Sequence, residues 1–144
     1  VLTILLQPMN APAASIWLVD DDEDDLVLMQ AAFGQVVPDV LIERLQDGED
    51  LLIRLEATAT MPNLVLLDLN MARTGGFDAL SSLRASQRFD QLPIVVLTTS
   101  TNPLDRKKSS SLGASDYHTK PDSYAELTIL ALKLVQQWLP QSTP

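Results

Sequence analysis

Residues 64–68 read Leu-Val-Leu-Leu-Asp, four apolar side chains in succession closed by an acid. A strand with one wet face alternates apolar and polar residues, whereas an unbroken apolar run of this length suits a strand covered on both faces, as in parallel sheets flanked by helices. The same shape recurs on either side. Ile16 to Val19 closes on Asp20 and Asp21, and Ile94 to Leu97 closes on Thr98. Val40 to Leu45 and the shorter Ala114 to Thr119 complete five candidate strands, separated by stretches of helical rather than hairpin pattern. Five β–α repeats predict an α/β chain with a parallel sheet and helices on both faces. Parallel strands end on one edge, and ligands bind in the crevice outside those carboxyl ends. Asp20, Asp21, Asp68, Thr98 and Lys120, which follows the last short strand, are therefore expected in one pocket. Three acids, a hydroxyl and an ammonium suit a divalent cation beside a phosphoryl group.

The helical stretches carry their own punctuation. Leu26, Met29, Gln30 and Phe33 share a stripe on the first, whose opening turn is crowded with acids and whose end lies near Gly34. The second follows Asp47 to Leu55, and the third begins near Gly76 and runs through Leu80 and Leu83. Asn102 and Pro103 start the fourth, and Gly113 stops it. Asp122 or Ser123 caps the fifth, which ends at Trp138 before Pro140. On its wheel Tyr124, Leu127, Ala131, Leu134 and Trp138 form the packing stripe. Ile129 and Leu132 then point away with Lys133 and Gln136, which predicts an interface for a symmetric dimer.

The 144 residues and 46% hydrophobic content favour one domain with a real core. A net charge of -9 argues against nucleic acid as a partner, since phosphates require a basic face. With no cysteine, thiolate metal sites are excluded and a reducing, cytoplasmic setting fits. The opening Val-Leu-Thr-Ile-Leu-Leu-Gln-Pro-Met-Asn is too short an apolar run for a signal core or a membrane span, so no membrane insertion is expected. Residues 1–14 read as a weakly ordered lead-in, with an extra edge strand as the alternative and Met9 as a natural start. Residues 15–139 form the domain and 140–144 a tail.

The acidic run Asp20 to Asp25 is open to several readings. Its alternation resembles the start of a calcium EF-hand loop, but Asp25 stands where that loop needs glycine and Ala31 where it needs glutamate. Helix-start charge accounts for Asp22, Glu23, Asp24 and Asp25, while a hard cation better explains Asp20 and Asp21 directly at a strand end. Asp68 is either a loop-capping residue or a nucleophile toward phosphorus. Lys120 precedes Pro121, which keeps it out of the α region. His118 is the sole histidine and reads as a satisfied strand residue rather than a zinc ligand. Trp17 and Trp138 read as packing residues.

Taken together, residues 16–25 (IWLVDDDEDD), 64–80 (LVLLDLNMARTGGFDAL), 93–100 (PIVVLTTS) and 112–121 (LGASDYHTKP) resemble the receiver domain of two-component response regulators. The resemblance covers residues 15 to 139 and is similar to single-domain regulators, including those beside phytochrome-type histidine kinases. It implies the flavodoxin-like three-layer sandwich, a doubly wound five-stranded sheet of order 2-1-3-4-5. It further implies that Asp68 accepts a phosphoryl group from a histidine kinase or phosphotransfer protein. Asp20, Asp21, Asp68 and the backbone carbonyl of Asn70 would hold Mg²⁺, with Mn²⁺ as a substitute. Thr98 and Lys120 would engage the phosphoryl oxygens, and Thr98 and Tyr117 would form the switch that alters binding of a downstream protein. Ala72 stands where the family commonly has proline, Gly75 and Asp122 depart from its usual pattern, and Thr99 replaces a smaller residue. The positions of Asn70 and Ser100 tune phosphoryl lifetime in the family. On this reading the protein is a signalling acceptor and not a turnover enzyme. The alternatives are a phosphatase of the haloacid-dehalogenase type, which needs an acid where Asn70 stands, and a pseudo-receiver that only binds.

Overall fold

Strand β1 (Ser15–Val19) sends Ile16 and Leu18 to one side of the sheet and Trp17 and Val19 to the other, and all four are buried. This period-2 division, repeated on the neighbouring strands, gives the domain two cores separated by one sheet. The computed structural model describes residues 13–140; most of the expected lead-in and nearly all of the tail lie outside the described residues. The remaining strands are β2 (Leu41–Leu45), β3 (Leu64–Leu67), β4 (Ile94–Thr98) and β5 (Asp116–Thr119). All pairs are parallel and the order is β2-β1-β3-β4-β5, as the resemblance implies.

The helices are α1 (Glu23–Val36), α2 (Gly48–Ala57), α3 (Gly76–Arg84), α4 (Pro103–Ser111) and α5 (Tyr124–Trp138), with a short 3₁₀ turn at Gln87–Phe89. Helices α1 and α5 cover the face carrying Ile16, Leu18, Leu64, Leu66, Val95 and Leu97. Helices α2 and α3 cover the face carrying Trp17, Val19, Val65, Leu67 and Ile94. Full burial of each such aliphatic side chain is worth roughly 1.5–3 kcal/mol.

The buried stripe of α1 is Leu26, Met29, Ala32 and Phe33. Gln30, expected on that stripe, is exposed, because Ala32 sits closer to the stripe's centre and needs no polar partner. Helix α5 buries Leu127, Ala131 and Leu134, and Trp138 is half-buried against the same core. Tyr124 departs from the expected packing stripe: at the first turn it is 41% exposed and its hydroxyl donates to Gln35 Oε1 across the helix pair at 3.0 Å. Ser123, rather than Asp122, caps α5 by accepting from the Glu126 N–H. Asn102 caps α4, and Gly113, at φ 99°, ends that helical segment in a conformation only glycine adopts readily.

Candidate functional site

Backbone ladders carry the chemistry-bearing residues to one edge. The Asp20 N–H donates to the Leu45 carbonyl, that of Asp68 to Val19, and that of Lys120 to Thr98, at 3.0, 2.9 and 2.7 Å. Each residue is thus the first past its strand's pairing, or the last within it, and its side chain enters the crevice above the sheet. Asp20 and Thr98 are completely buried and Asp68 nearly so, whereas Asp21 is exposed at the rim. Asp20, Asp21 and Asp68 each bring a carboxylate oxygen within 4.8 Å of the others. The sequence expectation that these three acids meet is met in the geometry.

Lys120 reaches into the same crevice. Its Nζ lies 2.6 Å from Asp20 Oδ2, 2.7 Å from Asp25 Oδ2 and 3.6 Å from Asp68 Oδ2, with its side chain 12% exposed. Asp25 is a partner that the sequence reading assigned only to helix-start charge. One turn into α1, it faces the crevice as well as the helix dipole, and the spacing to Asp20 alone carried no sign of this. Asp22 does cap α1, accepting from the N–H groups of Asp24 and Asp25.

Burial pushes the Asp20 carboxyl up to about 6, against hydrogen bonds from Lys120 and the Asp22 N–H that favour ionisation; the charge of Asp68 adds to the rise. For Lys120 burial acts downward, but the hydrogen bonds to Asp20 and Asp25 and the charge of Asp68 outweigh it and hold the ammonium above the usual lysine range. Three carboxylates, Asp20, Asp25 and Asp68, therefore share one ammonium. Asp68 Oδ1 is buried and has no hydrogen-bond partner. A buried carboxylate oxygen without a partner is costly, and a hard cation bound by oxygen ligands would relieve both this and the mutual repulsion. The donor set fits Mg²⁺ or Mn²⁺.

Thr98 Oγ1 accepts only weakly, from Asn70 Nδ2 at 3.5 Å and Ser100 N–H at 3.4 Å, so its own proton is available to a ligand in the crevice. Tyr117 is turned inward, its hydroxyl donating to the Ser100 carbonyl at 3.2 Å and its ring under the Arg106 guanidinium at 4.7 Å. Sequence reasoning did not anticipate Arg106, which lies a turn into α4. The loop beyond Asp68 folds back tightly: a Cβ on Gly76 would lie 2.3 Å from the Asp68 carbonyl oxygen, so only glycine fits there. His118 Nε2 pairs with Asp116 Oδ2 at 3.0 Å on β5, in keeping with a structural role. Ile129 and Leu132 are 67% and 46% exposed on α5.

The family model described as "Response regulator receiver domain" matches residues 16–131. The chain is 34% identical over 128 residues to the probable methanogenesis regulatory protein FilR2 of Methanothrix harundinacea (strain 6Ac), covering 86% of this chain and 83% of that one. It is 30% identical over 133 residues to response regulator Rcp1 of Synechocystis sp. (strain ATCC 27184 / PCC 6803 / Kazusa), covering 89% and 90% of the two. The crystal structure of the Mn(2+)-bound form of Rcp1 superposes with a TM-score of 0.79 over 90% of this chain and 97% of that one. That of the phosphorylated cyanobacterial phytochrome response regulator RcpA gives 0.83 at 28% identity, over 92% and 98%. Other relatives are longer, and this chain spans between 24% and 48% of their length. Among the described residues no helix is long and apolar enough to cross a membrane.

Proposed function

Because the chain belongs to the response regulator receiver domain family of two-component signalling, we propose that it takes a phosphoryl group onto Asp68 and thereby changes its affinity for a downstream protein. The observation that carries this is the buried Asp68 carboxylate, with one oxygen unpartnered, between two further acids and Lys120. In the transfer a carboxylate oxygen of Asp68 attacks phosphorus while the P–N bond to a kinase histidine breaks, the electron pair leaving with the imidazole. Lys120 offsets charge on the phosphoryl oxygens as a compact ammonium, and the Thr98 hydroxyl donates to one of them. Asp20, Asp21, Asp68 and the Asn70 carbonyl would hold the divalent cation, whose chemistry is to neutralise the phosphoryl group and align it. By likeness to Rcp1 and RcpA, the phosphoryl source is a phytochrome-type histidine kinase or a phosphotransfer protein, and the setting is cytoplasmic. The decisive experiment is phosphotransfer profiling of the purified protein against the histidine kinases of its source; fast transfer from one kinase supports the reading, and no transfer from any kinase overturns it.

The response to phosphorylation follows the contacts of Thr98. A hydroxyl drawn toward the phosphoryl group moves the chain through Ser100, whose carbonyl holds the Tyr117 hydroxyl. Helix α4 buries only Ser109 among its own residues, so displacing it disturbs little apolar packing. Thr98→Ala should therefore still accept phosphate yet lose most of the phosphorylation-dependent change in amide shifts at Ser100, Tyr117 and α4. A full set of shift changes in that variant would remove Thr98 from the switch.

Dimerisation through α5 belongs to the same proposal. Ile129 and Leu132 lie outside the packing stripe, and a two-fold contact would bury each pair against its mate. Ile129→Asp combined with Leu132→Asp should sediment as a monomer that still takes phosphate on Asp68. Sedimentation of the parent protein as a monomer at tens of micromolar, roughly where weak interfaces show, with and without a phosphoryl mimic, would exclude this interface.

A further inference from the structure

Asp21 is the one exposed acid of the cation cluster, and an exposed carboxylate ordinarily samples several rotamers. Here it does not hang free. Its Oδ2 accepts the backbone N–H of Ala72, 51 residues away in the loop that follows Asp68, at 2.9 Å. That loop is itself moored to the start of α2. The Gly48 N–H donates to the Thr74 carbonyl at 3.1 Å, and the Arg73 guanidinium bridges Asp47 at 3.3 Å and Glu49 at 3.7 Å. Asp47 is buried and caps α2 by accepting from the Asp50 N–H, so the mooring has a fixed end. A Cβ on Gly48 would fall 2.8 Å from the Ala79 Cβ and 2.9 Å from the Thr74 oxygen, which shows how closely loop and helix meet.

We infer that the Ala72 N–H is a positioning group for the cation site, holding Asp21 in its ligating rotamer through a loop anchored on α2. The inference rests on the reading of Asp20, Asp21 and Asp68 as cation ligands. An ionised carboxylate has about four lone-pair sites, so one N–H on Oδ2 leaves Oδ1 to a metal and orients it rather than competing. Holding the rotamer before the cation arrives removes part of the ordering cost of binding. Coupling is reciprocal: a cation that fixes Asp21 must also stiffen residues 72–76. Metal occupancy and the shape of the loop beside Asp68 thus become one equilibrium.

The test removes the N–H alone. Ala72→Pro has no amide proton, and an ester in place of the amide at residue 72, introduced by semisynthesis, makes the same deletion without the proline ring. Mg²⁺ and Mn²⁺ affinities by calorimetry should fall about five- to tenfold in both, equivalent to one modest charge-assisted hydrogen bond, while Ala72→Gly, which keeps the N–H, stays within about twofold of the parent. In the parent, amide exchange at residues 73–76 should slow on adding Mg²⁺; in the ester form that slowing should vanish. Unchanged or tighter Mg²⁺ binding by the folded ester protein overturns the inference and leaves the cation site intact. A parent protein that binds neither cation overturns the reading of the site as well.

Discussion

Asp68→Asn is expected to remain unlabelled when mixed with Mg²⁺ and a small acyl phosphate donor, under conditions where the parent protein forms an acid-stable, base-labile phosphoryl adduct. The amide keeps the shape of the side chain but lacks the anionic oxygen that would attack phosphorus on the proposed function, so the loss should reach the background of the assay. Its cause is chemical and not structural. Asp20, Asp21 and Asp68 repel one another at the strand edge, and removing one charge relieves that repulsion, so the variant should melt no lower than the parent without metal. Intact-mass spectrometry after the reaction, with peptide mapping, locates the adduct. Labelling of Asp68→Asn at the parental rate would dismiss Asp68 as acceptor, and a parent protein that never labels would favour a module that only binds.

Much of this arrangement was legible in the residues because it depends on short-range pattern. Unbroken apolar runs at Leu64–Leu67 and Ile94–Leu97 signal strands covered on both sides, and parallel strands must end on a common edge, which brings Asp20, Asp68 and Thr98 together without any knowledge of side-chain contacts. Strand order came from the likeness to a family and not from the pattern, since five β–α repeats permit more than one order. What stayed hidden depends on rotation and on partners distant in sequence. Asp25 has the same composition and near-neighbours as Asp24, yet the phase of α1 turns one toward Lys120 and leaves the other in solvent. Gln30 was misplaced for the same reason: a stripe inferred from large residues overlooked Ala32, whose small side chain lies deeper. The bond from Ala72 to Asp21 joins a backbone N–H to the carboxylate of a residue 51 positions away, and no side-chain pattern encodes its donor.

Lys120→Ala should produce the largest loss of stability of any single change at the site, about 3 kcal/mol in metal-free buffer near neutral pH, by the usual cost of leaving a buried charge without its partner. Lys120 is the ammonium in contact with Asp20, Asp25 and Asp68, and Asp20 is completely buried. Burial has already raised the Asp20 carboxyl to about 6, and loss of the hydrogen bond from Lys120 removes an influence that lowered it. The carboxyl then rises further. An acid whose folded value lies above its unfolded one destabilises the fold fully at pH above the folded value, and the penalty fades as pH falls toward the unfolded value and the group takes up its proton. Chemical denaturation should therefore show the deficit of Lys120→Ala to be greatest well above the parental Asp20 value of about 6 and to shrink as pH falls to that value, where Asp20 of the parent takes up its own proton. Adding Asp20→Asn should recover part of it at neutral pH. Saturating Mg²⁺ should recover part as well, since a cation at a hundred times its dissociation constant contributes about 2.7 kcal/mol to the folded state. Phosphorylation would still be slow in the rescued protein, because the cation replaces the charge that Lys120 places beside Asp20 but not the donor it presents to a phosphoryl oxygen. A Lys120→Ala protein as stable as the parent in alkaline buffer without metal would show that these three carboxylates do not depend on this ammonium.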